Sequence, residues 1–360
     1  MKIALVAKSV YPTRGGVELH VHNLALEMVA RGNQVQVFIA KNGVEHSPDV
    51  GYLVRTHSSL YGLYSAFAKE SFDVVHAHGA RSAIASGALV AGNSLGLRTV
   101  FTPHCFYPPS DWQGGLKRRL FDPTVGKLGM RHAHHIICLT ENDRRDAIDC
   151  GAEAEKIRII PNAIRPPQLP AADAVAEFRQ RHQLGAFLLS VGRLHRVKRG
   201  DFLISALTHL PTEIQLLFIG PDGGCLEEWR TLADKLHLGD RVRFLGSVSD
   251  SEVLLAYRGS AALVMASAYE GLPTVLLEAM ALDIPVIAAD SGGISCLIEH
   301  GINGLLYPYG DQDTFSRNVK FCLARPQDAM LERAHHRVLS QYSWPANAGR
   351  IAELYENCEA

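Results

Sequence analysis

Two acids, Glu270 and Glu278, are separated by seven residues in YEGLPTVLLEAM, the first ending a strand-to-helix loop and the second inside the helix that follows. Gly271 permits close backbone approach, Pro273 suits a first helical turn, and N–H groups near Leu272 to Thr274 can meet an anion at the helix terminus. Two carboxylates beside that anion could each accept two hydroxyl hydrogen bonds, which is the chemistry of a phosphorylated, polyhydroxylated ligand. Read as a capped amphipathic helix with incidental acids, the stretch leaves the acid before GLP unexplained. A cationic pair, Arg193 and Lys198 in SVGRLHRVKRGDF, could neutralise a diphosphate, the guanidinium as a planar fork and the ammonium as a point charge. The alternative there is a solvated basic turn. Gly15–Gly16 opens a helix after the run KIALVA, where a turn without side chains either exposes N–H groups to an anion or merely bends the chain.

These residues need a frame. Short β-branched runs (KIALVA, QVQVFIA, DVVHAH, TVFT, HIICLT, IRIIP) alternate with helical patterns in the first half, and FLLSVG, QLLFIG, VRFLG, ALVMAS and PVIAAD repeat the grammar in the second. Strands apolar on both faces with helices between them predict an α/β fold of two doubly wound, Rossmann-like parallel sheets. Four prolines between Pro161 and Pro170 interrupt both helix and strand, so the domains are expected at 1–164 and 183–345 with 165–182 as linker, and 346–360 reads as one more amphipathic helix. Ligands in such sheets bind beyond the carboxyl ends of the strands.

Composition narrows the class. The 360 residues, 47% hydrophobic and 20% charged, fit two globular domains and exclude disorder, collagen and coiled coil. A net charge of −1 denies the chain the basic field of a nucleic-acid binder. The balance is uneven, however: residues 1–168 carry 19 Lys and Arg against 14 Asp and Glu, or +5, leaving −6 for the remainder. An anionic or membrane-associated partner is therefore expected at the first half. Seven cysteines without a CxxC pair predict reduced thiols, and the short apolar start of MKIALVAK predicts no secretion, so a cytoplasmic protein is expected, peripheral at most on the membrane.

EGLPTVLLEAM resembles the E-x7-E motif of the GT-B, family 4 retaining glycosyltransferases. GGVELHVHNLA, DVVHAHG, TPH at 102–104, IICLTENDRRD, IRIIPNAI, VGRL with its Lys five residues after the Arg, FIGPDGG, RVRFLG and SGGISCLIEHGINGLLYP resemble the family in order along nearly the whole chain. The resemblance implies two Rossmann-like domains facing across a cleft, a UDP- or GDP-sugar donor on the second, an acceptor on the first, and a last helix, 346–360, crossing back to the first domain. It implies that Arg193 and Lys198 hold the donor diphosphate with Gly15 and Gly16 beneath it. Glu278 would hold the ribose, Glu270 with Gly271 the transferred sugar, and His104 would address that sugar from the acceptor side. Glu270 and His104 are thereby the implied catalytic residues, with no covalent nucleophile, no cofactor and no metal. One departure stands out: Arg199 follows Lys198 where the family commonly has Gly, either adding charge near the phosphates or pointing outward.

Three patterns compete. DQD at 311–313 resembles a metal-binding DxD but opens a helix and reads as a cap. HAH at 76–78 and HAHH at 132–135 touch buried strands without a Cys or carboxylate set, so no metal is expected. LKRR and FDPTVGKLGMRHAH form a basic, partly amphipathic stretch that would suit an anionic lipid-linked or glycan acceptor, or else a solvated face. The expected activity is retaining transfer of a sugar to a hydroxyl in polysaccharide, lipopolysaccharide or glycolipid synthesis. The rivals are a nucleotide-sugar epimerase on the same architecture and a two-lobed sugar-binding protein.

Overall fold

The computed structural model describes residues 1–11, 13, 15–40, 51–57, 59–106, 122–324 and 327–357. The chain divides into two compact units, Met1–Ala163 with Trp344–Ala360, and Ile164–Ser343.

In the first unit β1 (Lys2–Ala7), β2 (Gln34–Ala40), β3 (Leu53–His57), β4 (Val74–His78), β5 (Arg98–Thr102), β6 (His135–Cys138) and β7 (Ile157–Ile159) form one parallel sheet in the order 3-2-1-4-5-6-7. The helices between them are α1 (Gly16–Ala30), α2 (Leu60–Glu70), α3 (Ala83–Ser94), α4 (Lys127–Arg131) and α5 (Glu141–Asp149). Several start where the sequence supplies a cap: Ser59, Ser82 and Thr140 each accept an N–H from the first turn they precede. The sheet is buried on both faces. Phe38, Phe67 and Phe72 pack with α2 and α3 on one side, and Val21, Leu24 and Met28 of α1 pack on the other.

The second unit holds α6 (Ala172–Arg181), β8 (Ala186–Val191), α7 (Gly200–Ala206), β9 (Ile214–Ile219), α8 (Leu226–Lys235), β10 (Val242–Phe244), α9 (Asp250–Gly259), β11 (Ala262–Met265), α10 (Thr274–Ala281), β12 (Val286–Asp290), α11 (Ile294–Leu297), β13 (Leu305–Pro308), α12 (Gln312–Ala324) and α13 (Asp328–Gln341). Its parallel sheet runs 10-9-8-11-12-13. Trp229, Phe218, Tyr307 and Phe315 anchor one side of its core.

The last helix, α14 (Trp344–Glu356), belongs to the first unit. Trp344 and Tyr355 are 2% and 0% exposed in that core, Asn347 donates to Pro161 O at 3.0 Å and Arg350 to Ile159 O at 2.5 Å. Part of the segment expected as linker is ordered: directly after Pro170, residues 172–181 form α6, whose Phe178 is fully buried and which packs on α9. Proline stops a helix behind it but not one beginning beyond it.

Candidate functional site

Strand order reverses between β8 and β11, and the loops leaving those two strands carry Arg193, Lys198 and Glu270. Glycine lets the loops close on each other. Gly192 has φ 143°, and a Cβ on Gly220 would lie 2.1 Å from Gly192 O. Asp222 of PDGG accepts the N–H groups of Gly224, Cys225 and Leu226, and those bonds hold its carboxyl below the usual range while fixing the start of α8. Ala268 N–H donates to Val197 O at 2.8 Å, tying the loop after β11 to the loop after β8. Lys198 Nζ consequently meets Glu270 Oε1 at 2.5 Å. A small cleft at this end of the sheet is lined by Gly192, Arg193, Lys198, Met265, Ala266 and Ser267.

Glu270 is 4% exposed, more enclosed than a residue of an open loop. The SGG loop explains this. Gly293 N–H donates to Glu270 O at 2.8 Å, and a Cβ on Gly292, at φ 55°, would lie 2.2 Å from that oxygen. Gly271, Leu272 and Pro273 are buried beside it, Pro273 standing at the N-cap of α10 rather than within its first turn. Thr274 opens the helix and Glu278 lies one turn further on. The Glu278 carboxyl accepts from Thr274 and, at 2.9 Å, from Tyr257 OH. Burial pushes it above the usual carboxylate range against both bonds. Tyr257, fully buried on α9, is a neighbour the sequence did not disclose.

Arg199 occupies left-handed backbone at φ 52° and turns to Asp201 Oδ2 at 3.0 Å and Tyr309 OH at 2.6 Å, which settles its direction. Asp311 accepts from Thr314 N and Oγ1 at the start of α12, so DQD is a helix cap. A larger hollow lined by Asp283, Glu332, His335 and His336 lies near the opposite, amino end of β12 and is remote from these loops.

In the first unit the strand order reverses between β1 and β4. Gly15 is the extended N-cap of α1 and Gly16 its first residue, with nothing within 4 Å of a Cβ built there. Glu18 turns back toward Gly15 and accepts from Ser9 Oγ at 2.7 Å, so this helix start already hosts one carboxylate. His104 follows β5 with φ 67° and is 8% exposed. Its Nε2 lies 3.1 Å from Nδ1 of His78, the last residue of β4. His20, one turn into α1, has its ring centroid 4.7 Å from that of His104. His76 sits between Tyr355 OH at 2.6 Å and Thr102 Oγ1 at 2.8 Å. Burial depresses all four imidazoles, His20 to about 4 and the others well below their ordinary value, so they are neutral at pH 7. His20 and His78 thus join His104 although no sequence spacing links them. In HAHH, by contrast, His132 bonds Leu128 O and His134 bonds Thr99, both structural roles.

Two parallel α/β units, each with its polar loops at the strand reversal, are the architecture of the GT-B class. The model for "Glycosyltransferase Family 4" matches residues 14–167 and that for "Glycosyl transferases group 1" matches 176–337; the chain belongs to the family 4 glycosyltransferases. It is 23% identical to the GPI3 subunit of the phosphatidylinositol N-acetylglucosaminyltransferase of Saccharomyces cerevisiae, over 99% of this chain and 82% of that one. It is 27% identical to the D-inositol 3-phosphate glycosyltransferase of Mycolicibacterium smegmatis, over 95% and 86%. Among solved structures, Anabaena Alr3699/HepE in complex with UDP and glucose aligns with a TM-score of 0.81 at 21% identity, covering 99% of both chains. WaaG, a glycosyltransferase involved in lipopolysaccharide biosynthesis, aligns at 0.74 and 19%, over 97% and 99%.

Proposed function

We propose that this glycosyltransferase moves a hexosyl group from a UDP- or GDP-sugar to a hydroxyl of a glycan or lipid-linked acceptor with retention of anomeric configuration. The observation that carries the reading is the Lys198–Glu270 pair at the reversal of the second sheet, with Glu278 one turn into the following helix. Arg193 and Lys198 stabilise charge gathering on the departing diphosphate, Glu270 and His104 hold the transferred sugar, and Glu278 accepts from the ribose hydroxyls. Gly15 and Gly16 would lie beneath the donor phosphates, the space beside Gly16 being open and that beside Gly15 held by the Glu18 carboxylate. The UDP complexes of the solved relative and the inositol-based activities of the curated ones support a nucleotide-sugar donor and a polyol or lipid-linked acceptor.

The same reading makes the enzyme metal-independent and cytoplasmic, with transient contact at an anionic membrane. No described helix is long and apolar enough to cross one. Lys117, Arg118 and Arg119 of the basic stretch lie outside the described residues, while Lys127 and exposed Arg131 stand on α4. Calorimetry with UDP, GDP and 2′-deoxy-UDP tests the ribose assignment. A 2′-deoxy nucleotide should bind about tenfold more weakly, as one desolvated hydrogen bond to a carboxylate costs about 1–3 kcal/mol. Equal affinities would remove Glu278 from the ribose.

A further inference from the structure

Four histidines from three parts of the first unit form a buried layer at the carboxyl ends of β4 and β5. Ring centroids lie 4.1 Å apart for His76 and His78, 5.4 Å for His78 and His104, 4.7 Å for His20 and His104, and 5.0 Å for His20 and Trp344. Their polar atoms are unevenly served. His76 uses both nitrogens. His20 Nδ1 lies 3.1 Å from Asn162 Oδ1, an acceptor, so Nδ1 carries the proton and Nε2 presents a lone pair. Among the described residues that Nε2 is buried without a partner, as are His78 Nε2 and the Trp344 indole N–H. Native interiors seldom leave such groups unmatched, and three around one ring mark a place built for a polar guest.

The chemistry of the guest follows from what the cluster lacks. Neutral imidazoles offer an anion no charge. A metal ion is better matched in ligand type, since one nitrogen from each of His20, His78 and His104 lies within 4.8 Å of the others. Two nitrogens about 2.0–2.1 Å from one tetrahedral ion would, however, be only about 3.3 Å apart. The His78–His104 hydrogen bond also occupies a lone pair, and the cluster contains no acid to balance a dication. A hydroxyl carries the donor and the acceptor that the two orphaned nitrogens call for, an O–H for the lone pair of His20 Nε2 and an oxygen for His78 Nε2–H.

We propose that His20 and His78 form a subsite for one hydroxyl of a neutral sugar or polyol group, beside His104. The assignment rests on the glycosyl-transfer reading and deepens it. With His78 Nε2–H donating to the ligand, His78 Nδ1 accepts, and His104 Nε2–H must donate to it; occupancy of the subsite therefore fixes the tautomer of His104. Trp344 brings the last helix into the same layer.

The test compares wild type with His20→Phe and His78→Phe, which keep a ring in the packing, and with His20→Gln, which keeps an acceptor. Calorimetry with UDP or GDP, and kcat/KM for monodeoxy series of donor sugar and of acceptor, supply the readouts. In wild type one deoxy position should cost tenfold or more. In both Phe variants that penalty should vanish and kcat/KM should fall about 10- to 100-fold, with nucleoside diphosphate affinity within twofold of wild type and His20→Gln intermediate. A penalty lost from the donor series assigns a donor hydroxyl, and one lost from the acceptor series assigns an acceptor hydroxyl. Penalties unchanged in the variants would overturn the subsite, as would stoichiometric binding of zinc alone that the Phe variants abolish. Should the Phe variants fail to fold, the penalty in His20→Gln decides: a reduced penalty supports the subsite and an unchanged one overturns it. A wild type that binds no nucleotide would defeat the function proposed above, an outcome distinct from nucleotide binding with unaltered penalties.

Discussion

Glu270 and Lys198 are each other's counter-ion, and the enclosure of the carboxylate makes the pair sensitive to losing either member. A buried charge left alone is strongly destabilising, so Glu270→Ala would confound folding with chemistry. Glu270→Gln keeps the shape and leaves Lys198 an amide oxygen to donate to, which Ala does not. Its transfer rate should fall by about two to three decades, since a charged hydrogen bond at the reacting sugar is worth about 3–4 kcal/mol, while the melting temperature moves only a few degrees. Single-turnover rates and calorimetric melts check this, and near-normal turnover would remove Glu270 from the sugar. If Arg193 and Lys198 hold the distal phosphate as proposed, Lys198→Met and Arg193→Ala should each weaken nucleoside diphosphate binding far more than monophosphate binding. Glu278 adds a pH dependence. In the proposed ribose role the carboxylate must be ionised to accept the hydroxyls, and burial has raised its pKa, so donor affinity should decline with acidification at a higher pH than for an ordinary carboxylate of 4.5. Tyr257→Phe removes a bond that favours the ionised form and should move that decline to still higher pH in a titration series.

At the scale of elements, burial on both faces made the central strands legible: KIALVA, DVVHAH, FLLSVG and ALVMAS are nearly continuous apolar runs, and each is an inner strand. Two edge strands escaped that pattern. LVRTH is half-buried along its length and LLYP is only four residues long, so neither shows the run of a covered strand. Arg193, Lys198 and Glu270 were legible as a group because they lie on short loops next to recognisable strands, and Glu278 because it follows one turn into the next helix. Tyr257, Gly292 and the histidine layer were not, since His20, His78 and His104 meet only when α1, β4 and the loop after β5 are packed. Asp143, in the first turn of α5, is a further case: burial pushes its carboxyl up from 3.8 to about 7 although Thr140 supports the ionised form. The folded chain keeps a proton that the unfolded chain has released, so the stability this group contributes is complete below about pH 4 and lost as pH rises toward 7. Asp143→Asn should therefore stabilise the protein by about 1–3 kcal/mol at pH 8 and hardly at pH 4. Urea melts at the two pH values would show it, and equal gains at both would refute the cause.

For the whole molecule, acid should act unequally on the two units. His20, His76, His78 and His104 stay neutral in the folded first unit, whereas the unfolded chain protonates them near 6.5. A depressed histidine contributes stability that is lost as pH falls through the unfolded value; for His20, held at about 4, the loss is about 2 kcal/mol by pH 5. Asp143 opposes this within the same unit but is one group against four. Glu278, raised in the second unit, favours that unit in acid. Hydrogen exchange at pH 5 against pH 7.5 should show residues 1–163 and 344–357 losing protection first; equal loss in residues 164–343 would contradict the assignment.

The proposed reaction is retaining transfer from a nucleoside diphosphate sugar without metal help. Its most direct test is proton NMR of the reaction of UDP- and GDP-hexoses with glycan and lipid-linked acceptors in excess chelator, following the anomeric coupling of the product and the release of nucleoside diphosphate. The predicted result is one nucleoside diphosphate released per glycoside formed, the product keeping the donor's anomeric configuration at an unchanged rate in chelator. An inverted product, a donor epimerised without acceptor, or activity lost in chelator and restored by magnesium or manganese would contradict it.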